Sequence, residues 1–370
     1  TVAAIGGALV LGALARLLNR ASPGPALAFG LGLAVLANTR PYEGLVLGAL
    51  SAVFLLVRLI PLMRRGSQNS AQLVHSIGLP LAFVLLPVFI WMGYYNYRVT
   101  GDPLQTPYSS ADKQYGSWSP FLWSHHARPE PKFDHEIFHF FFVKFENPRN
   151  QFLREHFLLG HLGNLIELYR FFLGLPLFLV ILISSKHLMR NNRLRVPLSL
   201  LLLFYFGLSV EANLFPHYFA PATILVFLIA AAAMQDISSR FSPGKIRRTA
   251  VCAMLCCIVI FDVRRIMDPL SRFCFRHDLR EFISQRDRVV AFLQEQPGRH
   301  VVLVRYGPHH APEDEWVYND ANIDQSRIVW ARAMPGGKDD ELLRYYLDRR
   351  VWMLDDDGKV TLRFMDSGSK

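Results

Sequence analysis

Apolar residues gather in long runs separated by short basic or turn-rich stretches. The runs are 2–18, 24–39, 44–63, 78–97, 170–185, 196–214, 218–235 and 249–265. A membrane-crossing helix needs about 20 mainly apolar residues, with a lower limit near 17. The pattern therefore predicts about eight crossings, several of them short or broken by Gly or Pro. Residues 98–169 form a long polar and aromatic loop between the fourth and fifth runs, with Tyr108, Tyr115, Trp118 and Trp123. Aromatic faces of this kind stack on sugar rings or anchor a loop at a membrane interface.

The last hundred residues follow a different rhythm. Residues 278–296 have helical spacing and stop at Pro297-Gly298. Strand-like runs follow at His300–Tyr306 and Arg327–Ala331, then a helical stretch at 338–349. Val351–Leu354 and Val360–Phe364 flank the turn Asp355-Asp356-Asp357-Gly358 and read as a hairpin. The expected architecture is a polytopic all-α membrane bundle over residues 1–265, followed by a small α/β domain over 266–370. The first strand is not followed by GxGxxG, so a nucleotide role has no support.

Composition sharpens this division. Of 370 residues, 51% are hydrophobic and 19% charged. Only one of the 30 Asp and Glu, Glu43, lies in residues 1–100, and only Glu211 and Asp236 lie in 171–261. A soluble fold needs charge along its whole length, which makes disorder, a disulfide scaffold and an ordinary cytosolic enzyme poor fits. The net charge of +10 comes from Lys and Arg beside the apolar runs, with no nucleic-acid motif. Cys252, Cys256 and Cys257 share one apolar run and read as buried thiols.

Basic clusters orient the bundle. Arg16/Arg20, Arg58/Arg64/Arg65, Lys186–Arg195 and Arg240–Arg248 all fall on one side under strict alternation, which makes that side cytoplasmic. The turn 38–44, the loop 98–169, the turn 211–218 and the tail then lie outside. Thr1 enters an apolar run at once, so the chain reads as continuing from residues upstream.

Ionisable groups at membrane depth are costly and mark candidate sites. Arg40, Tyr42 and Glu43 occupy the first outer turn; Glu211, Asn213, His217 and Tyr218 occupy the second. Each set also has a plain structural reading, as a solvated hairpin turn or an aromatic anchor. As a site, the Arg40 and Glu43 pair would hold the phosphate of a lipid carrier and the hydroxyls of a sugar, and the second turn would be a donor cluster for a phosphate or a sugar. A third feature, His135-Glu136-Ile137-Phe138-His139, matches H-E-x-x-H, the zinc-protease pattern. Flanking Pro129 and Pro131 and the lack of a supporting motif favour an ordinary surface helix there, with no metal.

The segments Ala37-Asn38-Thr39-Arg40-Pro41-Tyr42-Glu43-Gly44, Tyr95–Pro103 and His217-Tyr218-Phe219-Ala220-Pro221 resemble bacterial polytopic glycosyltransferases of the GT-C class, akin to protein mannosyltransferases and aminoarabinose transferases. Val304–Pro308 and Glu315–Asn319 look like the soluble end of such proteins. The resemblance implies a protein of the bacterial cytoplasmic (inner) membrane that takes a polyprenyl-phosphate sugar at the outer face, with an acidic residue in the first outer loop. It implies membrane lipids and a lipid-linked sugar donor as partners; the sequence itself points to no nucleic acid and no cofactor. No Asp-Glu or Asp-x-Asp pair precedes residue 40, so no catalytic residue is assigned. The alternatives are a non-enzymatic membrane subunit of the same ancestry, or a membrane zinc protease built on His135, Glu136 and His139.

Overall fold

The computed structural model describes residues 2–64, 69–116, 119, 121–123, 131, 133, 136–212, 214–241, 243–267, 278–310, 314–334 and 337–365. The chain divides into two compact units, one of residues 1–131 and 138–264 and the other of residues 132–137 and 265–370.

The first unit is helical. Its elements are α1 (Val2–Leu17), α2 (Pro23–Thr39), α3 (Pro41–Arg64), α4 (Ser70–Leu73), α5 (Leu79–Thr100), α6 (Pro107–Tyr115), α7 (Glu136–His139), α8 (Asn147–Glu155), α9 (Phe157–Phe172), α10 (Gly174–Arg190), α11 (Arg195–Leu208), α12 (Thr223–Ser239) and α13 (Lys245–Met267). A π-turn, Val74–Gly78, joins α4 to α5, and a 3-10 turn, Pro216–Ala222, leads into α12. Leu14, Leu36, Leu47, Phe204, Leu208 and Leu214 form the centre of a core contributed by α1, α2, α3, α11 and the turn before α12.

Small residues let these helices approach backbone to backbone, as in membrane bundles. A Cβ on Gly7 would lie 1.9 Å from the Pro221 carbonyl oxygen, and one on Gly32 would lie 2.7 Å from the Gly6 carbonyl oxygen. Gly7 thereby seats the 216–222 turn directly on α1.

Among the described residues three helices are long and apolar enough to cross a membrane: Pro41–Pro61, Ala71–Thr100 and Pro216–Ser239. In Ala71–Thr100 only 6% of the apolar window is buried, and Phe83, Leu86, Phe89 and Ile90 stand exposed along it. Contiguous apolar surface of this extent is rare on a soluble monomer. The helices α1 and α2 are apolar but shorter.

Four expectations for this unit need correction. The run 170–185 is not one helix: α9 and α10 meet at a 106° bend, where Gly174 takes φ +60°, a conformation open to Gly at little cost. The stretch 157–169 is therefore helix rather than loop. The run 196–214 ends as a helix at Leu208. Cys252, Cys256 and Cys257 are exposed, because the apolar surface of α13 faces outward instead of into a core.

The second unit contains α14 (Asp278–Glu295), β1 (Arg299–Tyr306), β2 (Ile328–Arg332), α15 (Asp339–Tyr345), β3 (Arg349–Asp356) and β4 (Val360–Met365). The sheet order is β2-β1-β3-β4, with β1 parallel to β2 and β3, and β4 antiparallel to β3. On one face Trp316, Trp330, Trp352 and Leu354 pack with Leu293 of α14. On the other, Val301, Val329 and Met353 pack with Leu342 and Leu343 of α15. The helix expected over 338–349 stops at Tyr345 because Arg349 already pairs with Arg299 in the sheet.

Candidate functional site

Proline chemistry places Arg40. A residue before Pro is driven out of the helical region, and Pro suits the first position of a new helix. Arg40 accordingly ends α2 with φ −146° and ψ 76°, and Pro41 starts α3. The Arg40 N–H donates to the Leu36 carbonyl at 2.7 Å, while its own carbonyl accepts from Gly44 N–H at 2.8 Å. One residue thus closes one helix and opens the next, and its side chain leaves at the joint.

That side chain meets the second polar turn. The guanidinium carbon lies 4.3 Å from the centre of the Tyr218 ring, a cation–π contact, and Arg40 Nη1 is 3.7 Å from Glu43 Oε1. Glu43 is buried at 4% exposure in the first turn of α3, where the helix dipole favours a carboxylate. Tyr42 O–H donates to the Gly207 carbonyl at 2.6 Å, tying α3 to α11. The His217 ring stacks on Phe215 at 5.7 Å and stands edge-on to Tyr218 at 4.7 Å.

Glu211 lies beyond the end of α11, in the turn that leads to Pro216. Its backbone forms an isolated antiparallel bridge with Phe121, and Leu122 N–H donates to the Val210 carbonyl at 2.8 Å. Among the described residues Glu211 Oε2 is buried with no hydrogen-bond partner. Burial, and then the negative charge of Glu43, push its carboxyl up to about 8, against the opposing pull of Arg40. At neutral pH Glu211 is therefore mostly protonated and able to donate a hydrogen bond.

Several contributors went unread in the sequence. The Phe121 ring packs edge-on to Tyr42 at 5.0 Å and stacks on Trp123 at 4.5 Å. Arg154 fastens this segment by donating to the carbonyls of Ser119 and Phe121, both at 3.0 Å, and of Leu122 at 3.2 Å. Asn150 Oδ1 accepts from Arg154 Nε at 2.7 Å. Arg149 donates to the Leu214 carbonyl at 3.2 Å, and its guanidinium carbon sits 4.8 Å from the Phe215 ring centre. Arginines and a buried Asn in a stretch read as loop were the available signal, since such groups need backbone partners.

No family model, curated protein or solved structure matches the chain.

The structure brings Arg40, Tyr42, Glu43, Glu211, His217 and Tyr218 into one neighbourhood, with Phe121 and Phe215 as aromatic walls. Asn213 lies outside the described residues, as do His135 and the side chain of Glu136. His139 ends α7, and among the described residues no three His, Cys, Asp or Glu stand close enough to hold a metal ion. Chemically, the cluster offers one fork-shaped cation for an anion, one buried carboxylate as acceptor, one protonated carboxyl as donor, and aromatic faces for a ring.

Proposed function

We propose that the protein is a polytopic glycosyltransferase-like protein of the bacterial cytoplasmic membrane, which takes a polyprenyl-phosphate sugar at the outer face. The shorter apolar helices α1 and α2 and the bent α9–α10 pair would complete the bundle in the membrane, and the α/β domain would stand on its extracytoplasmic side.

One observation carries this reading: the two polar turns meet, so that Arg40 lies against Tyr218 beside Glu43. A buried carboxylate and a cation at a helix joint are expensive to keep in an apolar setting unless they serve each other or a ligand. Arg40 suits a phosphate because its planar fork can bind two oxygens at once. Its side chain keeps 29% of its surface exposed, so it is reachable. Glu43, Tyr42, Glu211 and His217 would contact sugar hydroxyls.

A non-enzymatic membrane subunit is the second reading, favoured by the engagement of Arg40 with groups of its own chain. Titration of the protein in lipid nanodiscs with a polyprenyl-phosphate hexose, with transfer followed in the same samples, decides between them. Arg40→Lys should weaken binding by about tenfold, since a point charge cannot replace the fork. Binding without transfer to any acceptor selects the subunit. Unchanged binding in Arg40→Lys removes the phosphate role.

A further inference from the structure

The 106° bend between α9 and α10 takes its meaning from the neighbours of α10. Val180 and Leu188 of α10 pack with Ile229 and Ala233 of α12. The Ser184 hydroxyl donates to the Ala233 carbonyl at 3.1 Å, and His187 Nδ1 lies 3.3 Å from Asp236 Oδ1. These contacts advance together along both helices, so α10 and α12 run side by side in one direction. The helix α12 belongs to Pro216–Ser239, which is long and apolar enough to cross a membrane. An α10 that crosses beside it leaves α9 only 16° from the membrane plane, because 106° is 16° beyond a right angle. The 16 residues of α9 extend about 24 Å at the helical rise. At that tilt their depth changes by about 7 Å from end to end, the thickness of one headgroup layer.

Contacts on its packed side place α9 at the end of the bundle that carries the candidate site. Tyr205, one turn before the end of α11, donates its O–H to the His161 carbonyl at 3.2 Å. Arg149 donates to Asn164 Oδ1 of α9 and to the Leu214 carbonyl, both at 3.2 Å. The other side of α9 is apolar and open. Leu158, Leu159, Leu162, Leu165 and Ile166 recur at helical spacing and are all exposed, Leu158 at 81%. On α10, Leu175, Leu179 and Leu182 are exposed in the same way, so both arms of the bend present apolar surface. Apolar surface of this extent is rarely left to water. A bilayer matches both arms at once, with its hydrocarbon thickness against α10 and its headgroup boundary against α9.

We infer that α9 is an interfacial helix. It lies flat in the headgroup boundary of the leaflet at the candidate-site end, and Leu158, Leu159, Leu162, Leu165 and Ile166 are its lipid-facing surface. Only α10 of the bent pair crosses. This rests on the membrane part of the reading above and is independent of the role given to Arg40.

The test uses the unmodified full-length chain in phosphatidylcholine nanodiscs doped with one of two photoreactive phosphatidylcholines. One carries a diazirine near the carbonyl end of its acyl chain, the other at the chain terminus. After irradiation, peptide mass spectrometry maps the labels, with residues 83–90 of α5 as the reference for a crossing helix. Residues 158–166 should take the carbonyl-end probe at least about fivefold more than the terminal probe, evenly along the helix. Residues 179–183 of α10 should take the terminal probe, as should 83–90. Terminal-probe labelling of 158–166 that equals the carbonyl-end probe, or that rises along α9, shows a crossing helix and overturns the proposal. Labelled 83–90 with unlabelled 158–166 also overturns it, because water or protein then covers that face, while the membrane reading stands. Absence of label from both helices removes the membrane reading and this proposal with it.

Discussion

Glu211 offers the most direct physical test of the candidate site. Its carboxyl is moved from an ordinary 4.5 to about 8, chiefly by burial and then by Glu43. A folded state that holds this proton between pH 4.5 and 8, while the unfolded chain releases it, loses stability as pH rises through that window. Each pH unit is worth about 1.4 kcal/mol, so the whole displacement corresponds to about 5 kcal/mol at the limit. The residue as a whole keeps some exposure although Oε2 is buried, and that residual water contact reduces the effect to about 2–3 kcal/mol. At about 2–4 °C per kcal/mol, that is a fall in Tm of about 5–10 °C between pH 5 and pH 8.5. The assay is thermal unfolding of the detergent-solubilised protein across this range, for the parent chain and for Glu211→Gln. Glutamine keeps the shape and cannot ionise. The variant should match the parent at pH 5 and exceed it at pH 8.5. Parallel Tm profiles for the two proteins would show that Glu211 is ionised in the folded state and that its surroundings are wetter than the geometry indicates.

Two further outcomes follow from packing and from the sheet. Gly7→Ala should destabilise the bundle by about 1–3 kcal/mol, because the new methyl would lie 1.9 Å from the Pro221 carbonyl oxygen, whereas Gly12→Ala, with nothing within 4 Å, should be harmless; Tm in detergent measures both. In the second unit, Asp356 accepts from Trp316 Nε1 at 2.7 Å and from His310 Nδ1 at 3.0 Å. Burial works to raise the Asp356 carboxyl, but these hydrogen bonds outweigh it and hold the group below the ordinary range. Asp356→Ala should cost about 3 kcal/mol, read by denaturant unfolding with tryptophan fluorescence, and the parent should lose this contribution as pH falls below 3.8, the ordinary value.

Local chemistry alone made some features legible. Apolar runs mark the long helices, because run length against polarity decides what can be left unsolvated. Thr39-Arg40-Pro41 announces a helix joint, because Pro restricts the residue before it and lacks an N–H. The strands β1 and β2 and the β3–β4 hairpin follow from β-branched runs and the Asp-Gly turn. Tertiary structure alone decided the rest. That Arg40 reaches Tyr218 depends on Gly7 admitting the Pro221 carbonyl against α1, a contact with no local signature. Residues 157–172 form a helix that turns through 106° into α10, because Gly174 can take a positive φ and because Arg149 and Asn164 bind α8 to α9. The environment of Glu211 is likewise a long-range property: its neighbours Phe121, Glu43 and Arg40 come from distant segments, and the field at a carboxyl is set by what is near in space, not in sequence.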